Sequence, residues 1–214
     1  MRNTFLSMIV IFAHLLALSS CQGQHKKQTS QTSNLGGKCD GCEAIYEYKD
    51  KSLTYVDTLP DFTKNQPQLK ITGVVFQKDG TTPAPNVILY IYHTNRKGIY
   101  EKKGDEKGLA KRHGFIRGWI KTNQAGQYTF YTFQPVAYPN RSEPAHVHII
   151  VKEPGKKEYY IDNYVFDNDP LLTQKQRDKF KNRGGSGVSH LQKENGLLSI
   201  KRDIVLGLNI PNYE

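Results

Sequence analysis

The chain has 214 residues, a formal charge of +10 and 37% hydrophobic residues. Its lysines and arginines gather over 96–112 and 175–183. Neither cluster is interleaved with aromatics for base stacking or carries a reader motif, which excludes a nucleic-acid partner and leaves a solvated basic surface that attracts anionic envelopes and acidic aromatic molecules.

The first segment, 1–21, places Arg2 ahead of an apolar run over 5–18 and small residues before Cys21, the layout of a secretory signal. Leu18-Ser19-Ser20-Cys21 resembles a bacterial lipobox, so cleavage is expected before Cys21, with lipid on its thiol. The run is short for a bilayer span of about 20 residues and contains His14. A lipid anchor is therefore favoured over a transmembrane helix, and the expected address is the cell envelope, facing the periplasm or on the outer-membrane surface. Residues 22–38, rich in Gln, Ser, Thr and Gly, read as a disordered tether. Cys39 and Cys42 close it in a Cys-x-x-Cys pair at 39–42. In an oxidising compartment a small structural disulfide is favoured over a reactive pair, because no βαβ pattern surrounds the motif. The chain thus divides into a signal over 1–20, a lipidated tether over 21–44 and a domain over 45–214 of about 170 residues, enough for one β-sandwich.

Short alternating strands follow at 69–76, 87–94, 118–123, 127–133, 146–153 and 158–166. Asp79-Gly80, Pro83-Ala84-Pro85 and Gln124-Ala125-Gly126 supply turns between them. The spacing predicts an all-β, antiparallel sandwich with long loops. A short C-terminal helix is expected over 171–183, between Asp169-Pro170 and Gly184-Gly185, and one or two further strands over 197–208.

Within the strand at 146–153, His146 and His148 occupy alternate positions, so both side chains leave the same face and can reach one ion. Alone, such a pair in a β-rich protein is more often a half-exposed strand face than a metal site. Tyr138 lies in the loop ahead of the pair, and Tyr100 follows an earlier apolar strand. Tyr90, Tyr92, Tyr128 and Tyr131 alternate within strands and read as packing residues, whereas Tyr100 and Tyr138 sit at strand ends, where loops present functional groups.

The blocks 73–100 (GVVFQKDGTTPAPNVILYIYHTNRKGIY) and 117–151 (RGWIKTNQAGQYTFYTFQPVAYPNRSEPAHVHIIV) together resemble the core of the intradiol ring-cleavage dioxygenases. The resemblance implies a non-haem iron(III) held by Tyr100, Tyr138, His146 and His148. It also implies cleavage of a catechol-type ring between its two hydroxyls by O2, giving a muconate-type diacid. Phenolate oxygens suit hard ferric iron, and imidazole is a good borderline ligand. The resemblance further implies that one tyrosinate leaves the metal and takes up a substrate proton. Two positions depart from the family pattern. Glu143 stands where an arginine is usual three residues before the first histidine, so Arg141 is the candidate to supply that charge, with Arg117 a weaker substitute. Asn163 falls where the family has a glutamine that orients substrate. His113 is a further supporting candidate, and Leu59 and Pro60 are expected to line the substrate pocket. No long amphipathic helical segment precedes the core, so the helical dimerisation region of the catechol 1,2-dioxygenase branch is not expected; oligomeric state stays open, a homodimer included. The rival reading is a transthyretin-like or carboxypeptidase-regulatory-like binding module without catalysis, whose turn pattern over 73–133 is similar. That module has no reason to carry the four-ligand set.

Overall fold

Leu69, Ile71 and Val75 alternate with half-buried neighbours along Gln68–Phe76, and this period of two makes the segment the central strand of a sheet. The computed structural model describes residues 34–104 and 106–214. The signal and the lipid-bearing Cys21 predicted from the sequence lie outside them.

Twelve strands form two six-stranded sheets among the described residues. The first contains β1 (Val56–Thr58), β2 (Gln68–Phe76), β5 (Gln127–Phe133), β10 (Gln192–Glu194), β11 (Leu197–Lys201) and β12 (Ile204–Val205). The second contains β3 (Ile88–His93), β4 (Arg117–Lys121), β6 (His146–Lys152), β7 (Tyr159–Tyr160), β8 (Tyr164–Phe166) and β9 (Val188–Ser189). The central pairs β2·β5, β3·β4 and β3·β6 are antiparallel, as the pattern predicts. Parallel pairs occur outside them: β1 on β5, β11 and β12 on β2, and β9 on β8. Between the sheets, Ile71, Val75 and Phe130 from one pack against Leu89, Ile91, Val147 and Ile149 from the other.

Three expectations are corrected. The helix expected over 171–183 is a single turn, α2 (Gln174–Arg177), capped by Thr173, whose side chain accepts from Gln176 N. Within 173–183 only Phe180 is apolar, so there is no stripe to bury a longer helix. The strand expected over 158–166 is broken into β7 and β8. The tether does not reach 34–38: Gly36 N donates to Pro211 O at 2.7 Å, and Arg183 Nη2 donates to Gly36 O at 2.7 Å.

The second sheet has a covered outer face as well. Tyr90, Trp119 and Ile150 point away from the sandwich core and pack with Cys42, Ala44 and Ile45 of the short turn Cys42–Tyr46. Trp119 Nε1 donates to Ala44 O at 3.2 Å, and Cys39 is joined to Cys42 by a disulfide with Cα atoms 5.7 Å apart. The arrangement buries what would otherwise be an exposed aromatic patch.

Candidate metal centre

Alternation along β6 sends Val147, Ile149 and Val151 into the sandwich and leaves His146 and His148 on the outer face. Strand β3 obeys the same rule, with Leu89 and Ile91 inward and Tyr90 and Tyr92 outward, and the register sets Tyr92 opposite His148. The two tyrosines predicted from the sequence arrive from loops. After β3 the chain turns through Asn95, whose Oδ1 accepts from Lys97 N and Ile99 N. Gly98 in this turn has φ +74°, and a Cβ there would stand 2.2 Å from Ala137 O. Glycine thus lets the loop bearing Tyr100 close onto the loop bearing Tyr138. Asp169 fixes the entry to β6, its carboxylate accepting from Ala145 N at 2.8 Å and from Leu171 N at 2.8 Å.

The four predicted donor atoms meet in a closed ring of contacts. Tyr100 Oη lies 2.6 Å from Tyr138 Oη and 2.8 Å from His148 Nε2. Tyr138 Oη lies 3.2 Å from His146 Nε2, and the two Nε2 atoms are 3.1 Å apart. Nδ1 of His146 donates to Pro144 O at 2.8 Å, so in that tautomer Nε2 turns a lone pair toward the other three atoms. Metal–ligand bonds of about 2 Å place neighbouring donors about 3 Å apart, so these spacings fit a single ion. No group of three or more His, Cys, Asp or Glu side chains able to hold a metal occurs among the described residues, so an ion held by His146 and His148 would draw its further protein donors from the phenols. Two phenols and two imidazoles form a donor set suited to a hard trivalent ion such as iron(III).

The electrostatics resist ionisation of the bare site. Burial raises the Tyr100 phenol far above its ordinary value, helped by its bond to Tyr138 and by the Glu143 charge. Burial also raises Tyr138, against the bond from Tyr100 and with a further push from Glu143. His148 is driven well below the ordinary imidazole range by burial and by its neighbour His146. His113 falls to about 4 through burial and the nearby Arg117 and Arg112.

Two cavities flank the donors and share Tyr160 and Asn163. One, of about 200 Å³, is lined by Glu143, His146 and Phe180 among others. The other, of about 300 Å³, runs past His148 and Tyr92 to Cys39 and Asp40. An apolar cavity of ~150 Å³ takes benzene, so either side admits one aromatic ring.

Asn163 is therefore at the site, lying against His148. Glu143 faces the cavity and acts on both phenols. Arg141 is instead exposed, with φ +52°, in the turn where its N donates to Tyr138 O at 2.8 Å, and it lines neither cavity. Leu59 is buried in the sandwich core, against the position where Gly118 lacks a Cβ. Pro60 borders a separate groove beside Tyr48, Lys51 and Trp119. Arg117 pairs with Glu47 on that side. Sequence order placed Leu59 and Pro60 at the pocket, but β1 joins the opposite sheet through β5 and carries them away. What sequence reasoning missed is Tyr92, whose place in an alternating aromatic strand gave it an ordinary packing explanation. It also missed the wall formed by Cys39 and Asp40, for which the sequence offered only the cysteine pair.

A family model described as "Dioxygenase" matches residues 48–183. Catechol 1,2-dioxygenase 1 of Acinetobacter lwoffii is 29% identical over 136 residues, covering 56% of this chain and 42% of the relative. Catechol 1,2-dioxygenase of Acinetobacter baylyi is 27% identical over 131 residues, covering 50% and 40%. The chain thus spans less than half the length of these curated relatives. Among solved structures, the dioxygenase domain of a dioxygenase carbohydrate-binding protein fusion from Streptomyces sp. SirexAA-E superposes with a TM-score of 0.51 at 21% identity, covering 65% of this chain and 79% of that one. Catechol 1,2-dioxygenase from Pseudomonas arvilla C-1 gives 0.53 at 18% identity, covering 72% and 56%. At such identities these two likenesses speak to the fold.

Proposed function

The chain belongs to the intradiol dioxygenase family, and from that premise we propose that it is an iron(III) enzyme opening a catechol-type ring between its two hydroxyl-bearing carbons. The observation that carries this reading is the closed ring of Tyr100, Tyr138, His146 and His148 donor atoms, 2.6–3.2 Å apart. In the overall reaction the carbon–carbon bond between the two hydroxyl carbons breaks. Both atoms of O2 enter the two new carboxyl groups, so no external reductant is needed. When bound, ferric iron would supply Lewis acidity toward the diol oxygens and a path for ring electron density toward dioxygen.

The residues of the chain supply the rest. Burial makes both phenolates strong bases, so either would accept a proton from the diol at its Oη. Tyr138, carried on the loop ahead of β6 and set edge-on to His146 and Tyr100 with ring centres 5.2 and 6.0 Å away, is the candidate for that role. His146 and His148 offer their Nε2 atoms as nitrogen donors. Asn163, shared by both cavities, offers an amide to orient the ring. Glu143 places negative charge at the mouth, favouring neutral diols over carboxylated ones. The test is the iron content and visible spectrum of the purified protein, followed by catechol under air. A charge-transfer band that shifts with catechol, with diacid formed, is expected; a protein that stays colourless and takes up no iron refutes the reading.

From residues 1–21 we also infer a lipid anchor on Cys21 and an envelope address. Full-length Cys21→Ser is expected to leave the membrane fraction. Equal retention of variant and wild type there would refute the anchor.

A further inference from the structure

The two imidazoles of the site are held in different ways. His146 has a backbone partner, Pro144 O, which fixes its ring through Nδ1. The direct hydrogen bonds of His148 among the described residues run through Nε2, toward Tyr100 and His146, and so lie on the donor side itself, while Asn163 lies beside the ring. The torsion that turns an imidazole about its Cβ–Cγ bond is broad, so the ring plane needs support from outside. For His148 a ring stack gives that support, alongside the Asn163 amide. Tyr92 lies 4.4 Å from it, with planes 11° apart. His113, at the end of α1 (Ala110–His113), lies 3.8 Å from the Tyr92 ring at 5°. Two rings at these spacings cannot share one face of Tyr92 without overlapping, so Tyr92 is held between them.

The outer ring of the stack is itself fixed. His113 Nδ1 lies 2.9 Å from Tyr90 Oη, and Tyr90 stacks on Trp119 at 4.8 Å. Gly41, at φ +90°, closes over the remaining edge, where a Cβ would stand 2.8 Å from His113 Nε2. The disulfide-closed turn thus bears on His113, His113 on Tyr92, and Tyr92 on His148. Every member of this column lies on the outer face of the β3–β6 sheet, and none is a donor atom except His148.

We propose that Tyr92 is a positioning residue for His148: braced by His113, its ring sets the plane in which His148 Nε2 meets the other three donors. The inference rests on the iron-site reading above. Partners that orient metal-bound histidines typically change metal affinity roughly 10- to 100-fold when removed. Ring stacking does not need the hydroxyl, so Tyr92→Phe should retain the effect and Tyr92→Leu should lose it.

The test loads wild type, Tyr92→Phe and Tyr92→Leu with ferric iron, then follows iron transfer to EDTA and the visible band. Thermal unfolding of the metal-free proteins separates packing loss from metal loss. The expected result is iron affinity within about twofold of wild type for Tyr92→Phe, and a roughly 10- to 100-fold loss with a displaced band for Tyr92→Leu. Iron retention and band equal to wild type in Tyr92→Leu overturn the proposal. Equal losses in Tyr92→Phe and Tyr92→Leu also overturn it, because the hydroxyl would then be the active part. If Tyr92→Leu does not fold, His113→Leu removes the brace instead, and unchanged iron retention there has the same force. A wild-type protein that takes up no iron sinks the iron reading and this inference together, whereas a coloured wild type with an indifferent Tyr92→Leu sinks this inference alone.

Discussion

Loading the site with ferric iron over a series of pH values isolates the two phenols. Burial raises Tyr100 and Tyr138 above the ordinary phenol value, and the nearby Glu143 charge pushes both further. A raised pKa keeps each phenol protonated to higher pH, so at neutral pH the metal-free protein carries both protons. Binding as phenolate releases one proton from each. His148 adds nothing in this range, because burial already holds it neutral. Each released proton contributes a factor of about ten per pH unit, so the apparent iron affinity should rise roughly 100-fold per unit between about pH 6 and 8. The assay is competition against a chelator whose own pH dependence is known. Tyr138→Phe removes one of the two protons, and its slope should fall to about tenfold per unit. A wild-type slope near tenfold, or the same slope in wild type and variant, would show that the two phenols are not both ligands.

Two further outcomes are expected. His148→Ala should abolish iron binding and colour, whereas Tyr128→Phe, which removes a hydroxyl bonded to Arg202 O at 2.6 Å on the other sheet, should cost about 1–2 kcal/mol of stability and keep both; iron content and thermal unfolding of the two variants decide it. At the cavity mouth, Glu143→Gln should improve turnover of 3,4-dihydroxybenzoate relative to catechol by roughly fivefold, the effect of about 1 kcal/mol of charge repulsion near a surface, while exposed Arg141→Ala leaves the ratio unchanged. The kcat/KM ratio for the two diols is the readout, and a ratio that follows Arg141 instead would refute this assignment.

Much of the fold was legible because β2 and β5 alternate along most of their length, β3 and β6 are rich in β-branched and aromatic residues, and glycine or proline turns separate these strands. The segments that escaped, β1, β9 and β10, have two or three residues each and are defined by the strand beside them. A pattern of period two needs more residues than that to be visible. His146 and His148 were legible for the same reason as the core strands, since alternation alone places them on one face. Tyr100 and Tyr138 were legible through family resemblance, because no local period connects two loops that meet across 38 residues. Leu59 went astray for the opposite reason. It precedes the first core strand in sequence, but sheet order carries β1 to the far side of β5 and buries Leu59 in the sandwich.

The position of the site on the outer face of a sheet accounts for the packed N-terminal turn. A sandwich buries its inner faces by construction, so metal donors on an outer face would stand in water beside exposed tyrosines unless something covered them. The turn around Cys42 supplies that cover, placing Ile45 and Ala44 in full burial against Tyr90 and Trp119. Burying an isoleucine stabilises by roughly 1.5–3 kcal/mol, which helps hold a short turn whose first residue is tied to Cys39 by a disulfide. The same turn sets Cys39 and Asp40 in the wall of the cavity beside His148, and Arg112 clamps Asp40 with two bonds of 2.9 and 2.7 Å. A segment that composition assigns to a linker therefore belongs to the folded domain. The boundary of that unit follows burial of the aromatic face and lies before residue 45, where hydrophobic content alone had placed it.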